Sequence, residues 1–193
     1  MTMNKLTLAD IQNLFEYERS RAAFRARIIA LKKNRRVPVG DVITFVFENR
    51  DTMLFQVQEM ARVERMVDDA QIQGELDIYN QLIPNGSELS ATLLVDITDQ
   101  EKIKPTLDSL VGLHHTVALD IGGERIPATF DPSQFSDNRI SAVQYISFPF
   151  TPAQRARFMD RTVPARLVID LPTYQRSAPL EGAVREELIR DLA

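Results

Sequence analysis

Residues 45–66, FVFENRDTMLFQVQEMARVERM, change their hydrophobic period partway along. The run Val42–Phe47 is β-branched and aromatic throughout, which predicts a strand. Beyond a polar turn the period lengthens. At about 100° per residue, Met53, Leu54, Val57, Met60, Ala61 and Val67 share one apolar arc of a helix. Asn49 or Asp51 is placed to cap this helix, which is expected to reach about Val67. Glu64 falls near the centre of the arc and Gln56 near its edge, while Phe55 and Met66 interrupt the opposite side. A helix apolar on more than one side packs on more than one side. This one is therefore expected to be central, with partly buried polar groups.

The same reading extends along the chain. Thr7 and Asp10 have the spacing of an N-cap and its first-turn carboxylate, predicting a short helix to about Phe15. A longer helix over residues 16–35 lacks Gly and Pro and is ended by Pro38 and Gly40. Another covers about Ala70 to Leu82, before the turn at Pro84-Asn85-Gly86. The pattern then shifts to short strands over Leu89–Ile97, Thr116–Ile121, Glu124–Phe130, Ser141–Phe150 and Arg166–Leu171. Gly122-Gly123 suits a tight hairpin. Helices are expected after Thr98, which has Glu101 placed for a capping box, after Thr151-Pro152-Ala153-Gln154, and over about Leu180 to Leu192.

DITDQEKIKPTLDSLVGLHHTVALDI and FPFTPAQRARFMDRTVPARLVIDL share a strand, Thr-capped helix, strand layout. Two similar β-α-β passages on one antiparallel or mixed sheet would produce this echo, and so would any α+β chain. The expected class is α+β: a helical N-terminal third packed on a mostly antiparallel or mixed sheet of about five to six strands. Residues 1–193 are expected to form one domain, with a helix-rich part over 1–83 and an α+β part over 84–193.

Composition narrows the chemistry. The chain has 193 residues, 44% hydrophobic and 26% charged, as expected of a globular protein with a sizeable core. It contains no cysteine, which removes disulfides, thiolate nucleophiles and cysteine-ligated metal or iron–sulfur centres. The two histidines, His114 and His115, are expected at a strand entrance on opposite faces, where they could not share a metal. Neither has a glutamate three residues earlier, so the Glu-x-x-His signature of di-iron bundles is missing. Phosphate-binding glycine motifs and a G-x-S-x-G elbow are also missing. No metal or cofactor is expected. No secretory leader or membrane-spanning run is visible, so a cytoplasmic location is expected.

Charge is uneven. Arg19, Arg21, Arg25, Arg27, Lys32, Lys33, Arg35 and Arg36 lie in one stretch without an acid, although the chain's net charge is −4. On that helix Tyr17, Phe24, Ile28 and Leu31 make a narrow apolar stripe, with Arg21, Arg25, Lys32 and Arg36 beside it. A carboxylate inside an apolar arc must be paired, hydrogen-bonded or protonated. Packing the two helices together would let Arg21 or Arg25 reach Glu64 or Glu59. The first reading of this cluster, which also includes Gln56 and Arg62, is a structural anchor. A ligand or partner site is the alternative, and acid–base catalysis a third. Nucleic-acid binding through residues 19–36 is disfavoured by the acidic remainder and by the absence of interleaved exposed aromatics.

The stretches FRARIIALKKNRRVPVGDVITFVFENRDTMLFQVQEMARVERM and ELDIYNQLIPNGSELSATLLVDI carry a resemblance. Their Phe-Arg, Lys-x-x-Arg-Arg-Val, Phe-Glu-Asn-Arg, Gln-x-Gln-Glu-Met and Glu-Arg elements, with Tyr-Glu-x-x-Arg just upstream, resemble a bacterial family known as domain of unknown function 3501 (DUF3501). The likeness covers nearly the whole chain and carries no assigned activity or catalytic residues. Family genes lie beside those of rubrerythrin-like and heterodisulfide-reductase-like proteins. Together with the missing cysteines and di-iron signature, the resemblance implies an accessory protein with a protein partner, of the iron–sulfur or peroxide-handling kind, rather than an electron carrier; enzymatic activity is left open. Self-association is left open.

Overall fold

The computed structural model describes residues 5–136 and 139–192. After a 3-10 turn at Leu8–Asp10, the chain forms helix α1 (Leu14–Lys32), strands β1 (Arg36–Val39) and β2 (Ile43–Phe47), and helices α2 (Arg50–Val63) and α3 (Asp69–Tyr79). Strand β3 (Glu88–Val95), helix α4 (Gln100–Ser109) and strands β4 (Val117–Ile121), β5 (Glu124–Pro127) and β6 (Thr129–Phe130) follow. The remainder is β7 (Phe135–Ser136), β8 (Arg139–Ile140), β9 (Val143–Pro149), α5 (Pro152–Met159), β10 (Ala165–Leu171), β11 (Tyr174–Pro179) and α6 (Gly182–Leu192).

The strands divide between two larger antiparallel sheets, ordered β1-β2-β3-β9-β6 and β11-β10-β4-β5, with a small β7-β8 pair. The class is α+β as expected, but one sheet of five to six strands is replaced by two sheets around a shared core. Phe45, Phe47, Leu89, Leu93 and Phe148 of the first sheet and Leu119, Leu167 and Ile169 of the second belong to one buried cluster. Leu188 and Leu192 of α6 and Phe158 of α5 complete it. The outer face of the first sheet is covered by the N-terminal helices. A second cluster there joins Leu6, Met53, Val57, Leu76, Tyr79, Leu82 and Ile83. Strand β2 is consequently buried on both faces, which suits its β-branched and aromatic run; its one polar residue, Thr44, donates its hydroxyl to Asp96 at 2.6 Å.

Several element boundaries differ from the expected ones for local reasons. Thr7 and Asp10 cap a short helix as expected, but it is a single 3-10 turn, and the long helix begins earlier than residue 16, at Leu14, capped by Asn13, which accepts the Glu16 amide at 3.0 Å. That helix stops at Lys32, and Pro38 lies inside β1, an edge strand where its missing amide proton is tolerated. Asp99, not Thr98, caps α4. The run Glu124–Phe130 is two strands: β5 pairs with β4 in the second sheet, and β6 pairs with β9 in the first.

Strand β11 has no counterpart in the sequence reading. In Tyr174–Pro179 only Tyr174 and Ala178 are buried, too few to mark a strand by alternation. The two echoing passages, β3-α4-β4 and β9-α5-β10, do not lie on one sheet. Each starts in the first sheet and crosses to the second. Their first strands pair with each other antiparallel, as do their last, the placement a local two-fold rotation gives.

Candidate functional site

Helices α1 and α2 meet through ionic groups. Arg21 grips Glu59 with two hydrogen bonds, Nε to Oε1 at 2.7 Å and Nη2 to Oε2 at 2.8 Å. The buried Tyr17 hydroxyl donates to Glu59 Oε1 at 2.6 Å, and Arg62 Nε donates to Glu18 at 2.6 Å. Arg21, supported by Tyr17, holds the Glu59 carboxyl down to about 2. Burial and the neighbouring Glu59 push the Tyr17 phenol up. These bonds join α1 to α2 directly.

Two of the expected members are elsewhere. Glu64 is exposed at the C-cap of α2 and buries nothing. The helix ends at Val63 because Arg65 takes a left-handed backbone conformation with φ of 52°, so position 64 never completes the apolar turn assigned to it. Arg25 is exposed on α1 and reaches neither glutamate. The histidines also depart from expectation. They lie at the entrance to β4 as expected, but in a 3-10 turn that sets their rings side by side with centroids 3.9 Å apart rather than on opposite faces, and His114 stacks on Phe135.

Gln56 points to a different place. With Met53 it lines a cavity of about 270 Å³ between the outer face of the first sheet and the helices. Its floor is Glu48, the residue after β2, which is 3% exposed. The Glu48 backbone amide is fixed to Ser90 O at 2.8 Å, and Thr92 of the adjacent strand donates its hydroxyl to Oε1 at 2.7 Å. Oε2 has no hydrogen-bond donor among the described residues. Among the described residues the other buried side-chain acceptor in this condition is Gln144 Oε1, which does not line the cavity.

Tyr79 of α3 and Tyr145 of β9 form another wall, their rings edge-on at 6.4 Å. Burial, a hydrogen bond with Tyr79 and the nearby Glu48 charge push the Tyr145 phenol up to about 12, so it remains a proton donor near neutrality. Lys32, at the end of α1, and Arg36, at the start of β1, also line the cavity. Among the described residues Arg36 is held only by a 3.5 Å approach to Asp96, where both side chains are about half exposed.

Between these two cations stands Arg35, which is buried. It bonds Asp191 at 2.7 and 2.8 Å and Glu187 at 2.9 and 3.2 Å, tying the α1–β1 junction to α6. Burial removes water from Arg35, but the bonds to Asp191 and Glu187 outweigh that and keep it cationic. Because Arg21 and Arg35 are engaged in this way, the stretch offers fewer cations to phosphate than its sequence suggests.

A larger cleft of about 420 Å³ opens between α1 and α2 beside Phe24, Arg27 and Leu54. Its polar side chains already have partners: Gln58 exchanges bonds with the Gln12 backbone at 2.8 and 3.0 Å, and Ser20 donates to Gln12 Oε1 at 2.7 Å. The smaller cavity is therefore the better candidate. Glu48, its key residue, lies in the Phe-Glu-Asn-Arg element. No periodicity argument singles it out, because its burial is created by distant elements.

Fold and cavity together define a two-sheet antiparallel α+β protein whose N-terminal helices roof a small polar chamber. The chain belongs to DUF3501, described as a protein of unknown function, whose family model matches residues 5–192. It is similar to a solved crystal structure of a novel protein of unknown function from Burkholderia pseudomallei K96243. The two are 31% identical with a TM-score of 0.92, over 98% of this chain and 100% of that one. A comparison with curated proteins finds no match. No helix among the described residues is long and apolar enough to cross a membrane.

Proposed function

We propose that the protein binds a small polar ligand in the cavity floored by Glu48. The observation that carries this reading is the unpartnered Oε2 of a carboxylate that is 3% exposed and lines the cavity. Leaving a buried acceptor unmatched costs about 1–3 kcal/mol, and more when it is charged. A fold has no use for that cost, whereas a ligand donor removes it. Gln56, Tyr79 and Tyr145 supply additional polar contacts on otherwise apolar walls, the usual make-up of a small-molecule site. Thermal melting against a panel of hydrogen-bond donors tests the proposal. Donors should raise the melting temperature of the wild type but not of Glu48→Gln, and equal shifts in both would sink it.

A second reading is favoured by a different face. On α1, Phe15 and Ile29 are 73% and 47% exposed, fourteen positions apart and so on nearly one line of the helix. Arg19 and Lys33 flank them. An acidic protein partner would fit this face, and an iron–sulfur or peroxide-handling protein is the kind implied by the family resemblance. Phe15→Asp should abolish association with such a partner without altering ligand binding in the cavity.

A further inference from the structure

The cavity has two electrical poles, and from them we infer the class of its ligand: a small zwitterion, with an ammonium group seated on Glu48 and a carboxylate facing Lys32 and Arg36. This rests on reading the cavity as a ligand site.

The negative pole is specific. Glu48 Oε1 is occupied by Thr92, and Oε2 is a buried acceptor with no hydrogen-bond partner among the described residues. No cation of the described residues fills it. Neither Lys32 nor Arg36 pairs with Glu48, although both line the same cavity. The Tyr145 hydroxyl, another neutral donor lining the cavity, is engaged with Tyr79. A charged acceptor shielded from water is satisfied best by a charged donor, since charge-assisted hydrogen bonds are about twice as strong as neutral ones.

The positive pole is equally placed. Lys32 is half-buried and has no ion-pair or hydrogen-bond partner among the described residues. Arg36 keeps most of its donors free of protein acceptors, its one ion pair being the long contact to Asp96. Arg35, clamped by Asp191 and Glu187, fixes the backbone between them. A simple amine would satisfy Glu48 and leave both cations unused. A simple carboxylate would meet the repulsion of Glu48. A molecule carrying both charges matches both poles, and the volume of about 270 Å³ confines it to a short one, below the roughly 300–1,000 Å³ of sites that take drug-sized ligands.

The test is amide chemical-shift titration of the full chain with three matched series: ω-amino acids from glycine to 6-aminohexanoate, n-alkylamines, and n-alkanoates. The amides of Lys32, Arg36, Glu48 and Tyr145 are the reporters. One ω-amino acid should bind about tenfold or more tightly than the amine and the acid of its length, the effect of one charge-assisted contact. Glu48→Gln should lose both amino acid and amine. Lys32→Met combined with Arg36→Met should bring the amino acid down to the amine's affinity and leave the amine unchanged. Thermal melts establish that each variant is folded. Amines binding as tightly as amino acids, or alkanoates binding tightest, would overturn the zwitterion and leave the cavity standing as a site. No shift of the four reporters by any probe would overturn both.

Discussion

Arg35 and Asp191, 156 residues apart in sequence, meet through two parallel hydrogen bonds of 2.7 and 2.8 Å. With Glu187 they form a buried triad that fastens the start of β1 to the last helix. Arg35→Ala leaves the buried Asp191 without its cation and Glu187 with Arg190 alone, and should cost about 3–5 kcal/mol in a denaturant titration. Adding Glu187→Gln and Asp191→Asn to that variant should recover part of the loss. Full stability in Arg35→Ala would show that the triad is not a clamp.

Glu59 supplies a pH dependence whose sign follows from its depressed value of about 2. In the unfolded chain a glutamate titrates at about 4.3. The Arg21–Glu59 pair therefore stabilises the fold fully above that value and loses its effect as pH falls toward 2. Other carboxylates titrate in the same window, so the informative quantity is the difference between wild type and Glu59→Gln. That difference should be present near neutrality and shrink between pH 4.5 and 2. A difference independent of pH would remove the ionic pair from the account.

Tyr17 tests the same contact without altering charge. Its hydroxyl is fully buried against Glu59, and Tyr17→Phe should cost about 1–2 kcal/mol, the range for a hydrogen bond to a charged acceptor less some relaxation. Chemical denaturation at pH 7 measures this directly.

Gly40 turns β1 into β2 with φ of 79°, and a Cβ there would press on the Tyr174 hydroxyl and on Arg176 Cγ. That hydroxyl donates to Val39 O at 2.7 Å and receives the Asp41 amide at 3.1 Å, joining the edges of the two sheets. Gly40→Ala combines left-handed strain with displacement of Tyr174 and should destabilise by about 1–3 kcal/mol. Gly123→Ala has a similar φ of 91° but open space around its Cβ, and should cost less.

The Arg21–Glu59 pair is one of the four contacts the sequence allows: Arg21 lies beside the apolar stripe of α1, but Glu59 lies across α2 from its apolar arc, so period alone does not select it. Glu64 was misplaced by the same reasoning: extending α2 to Val67 put it on the arc, whereas the left-handed Arg65 ends the helix first. Glu48 shows the opposite limit. It follows a strand, a position usually open to water, and becomes buried only because Thr92 of β3, Tyr79 of α3 and Tyr145 of β9 close around it. Burial assembled from four separated segments leaves no periodic trace. The two-sheet architecture was obscured in the same way, since the switch of sheet between β5 and β6 takes a single residue, Ala128.

The central claim is that Glu48 serves a ligand rather than the fold, and one variant separates these roles. Glu48→Gln keeps an acceptor for Thr92 while removing a buried charge. Melting it alone and with the best-binding ω-amino acid gives both answers in a single measurement. The variant alone should be as stable as the wild type or more stable by about 1 kcal/mol, because a buried charge without its partner is removed, and the ligand should no longer raise its melting temperature. A loss of more than about 2 kcal/mol, beyond the usual range of a neutral hydrogen bond, together with an undiminished ligand response, would contradict the account.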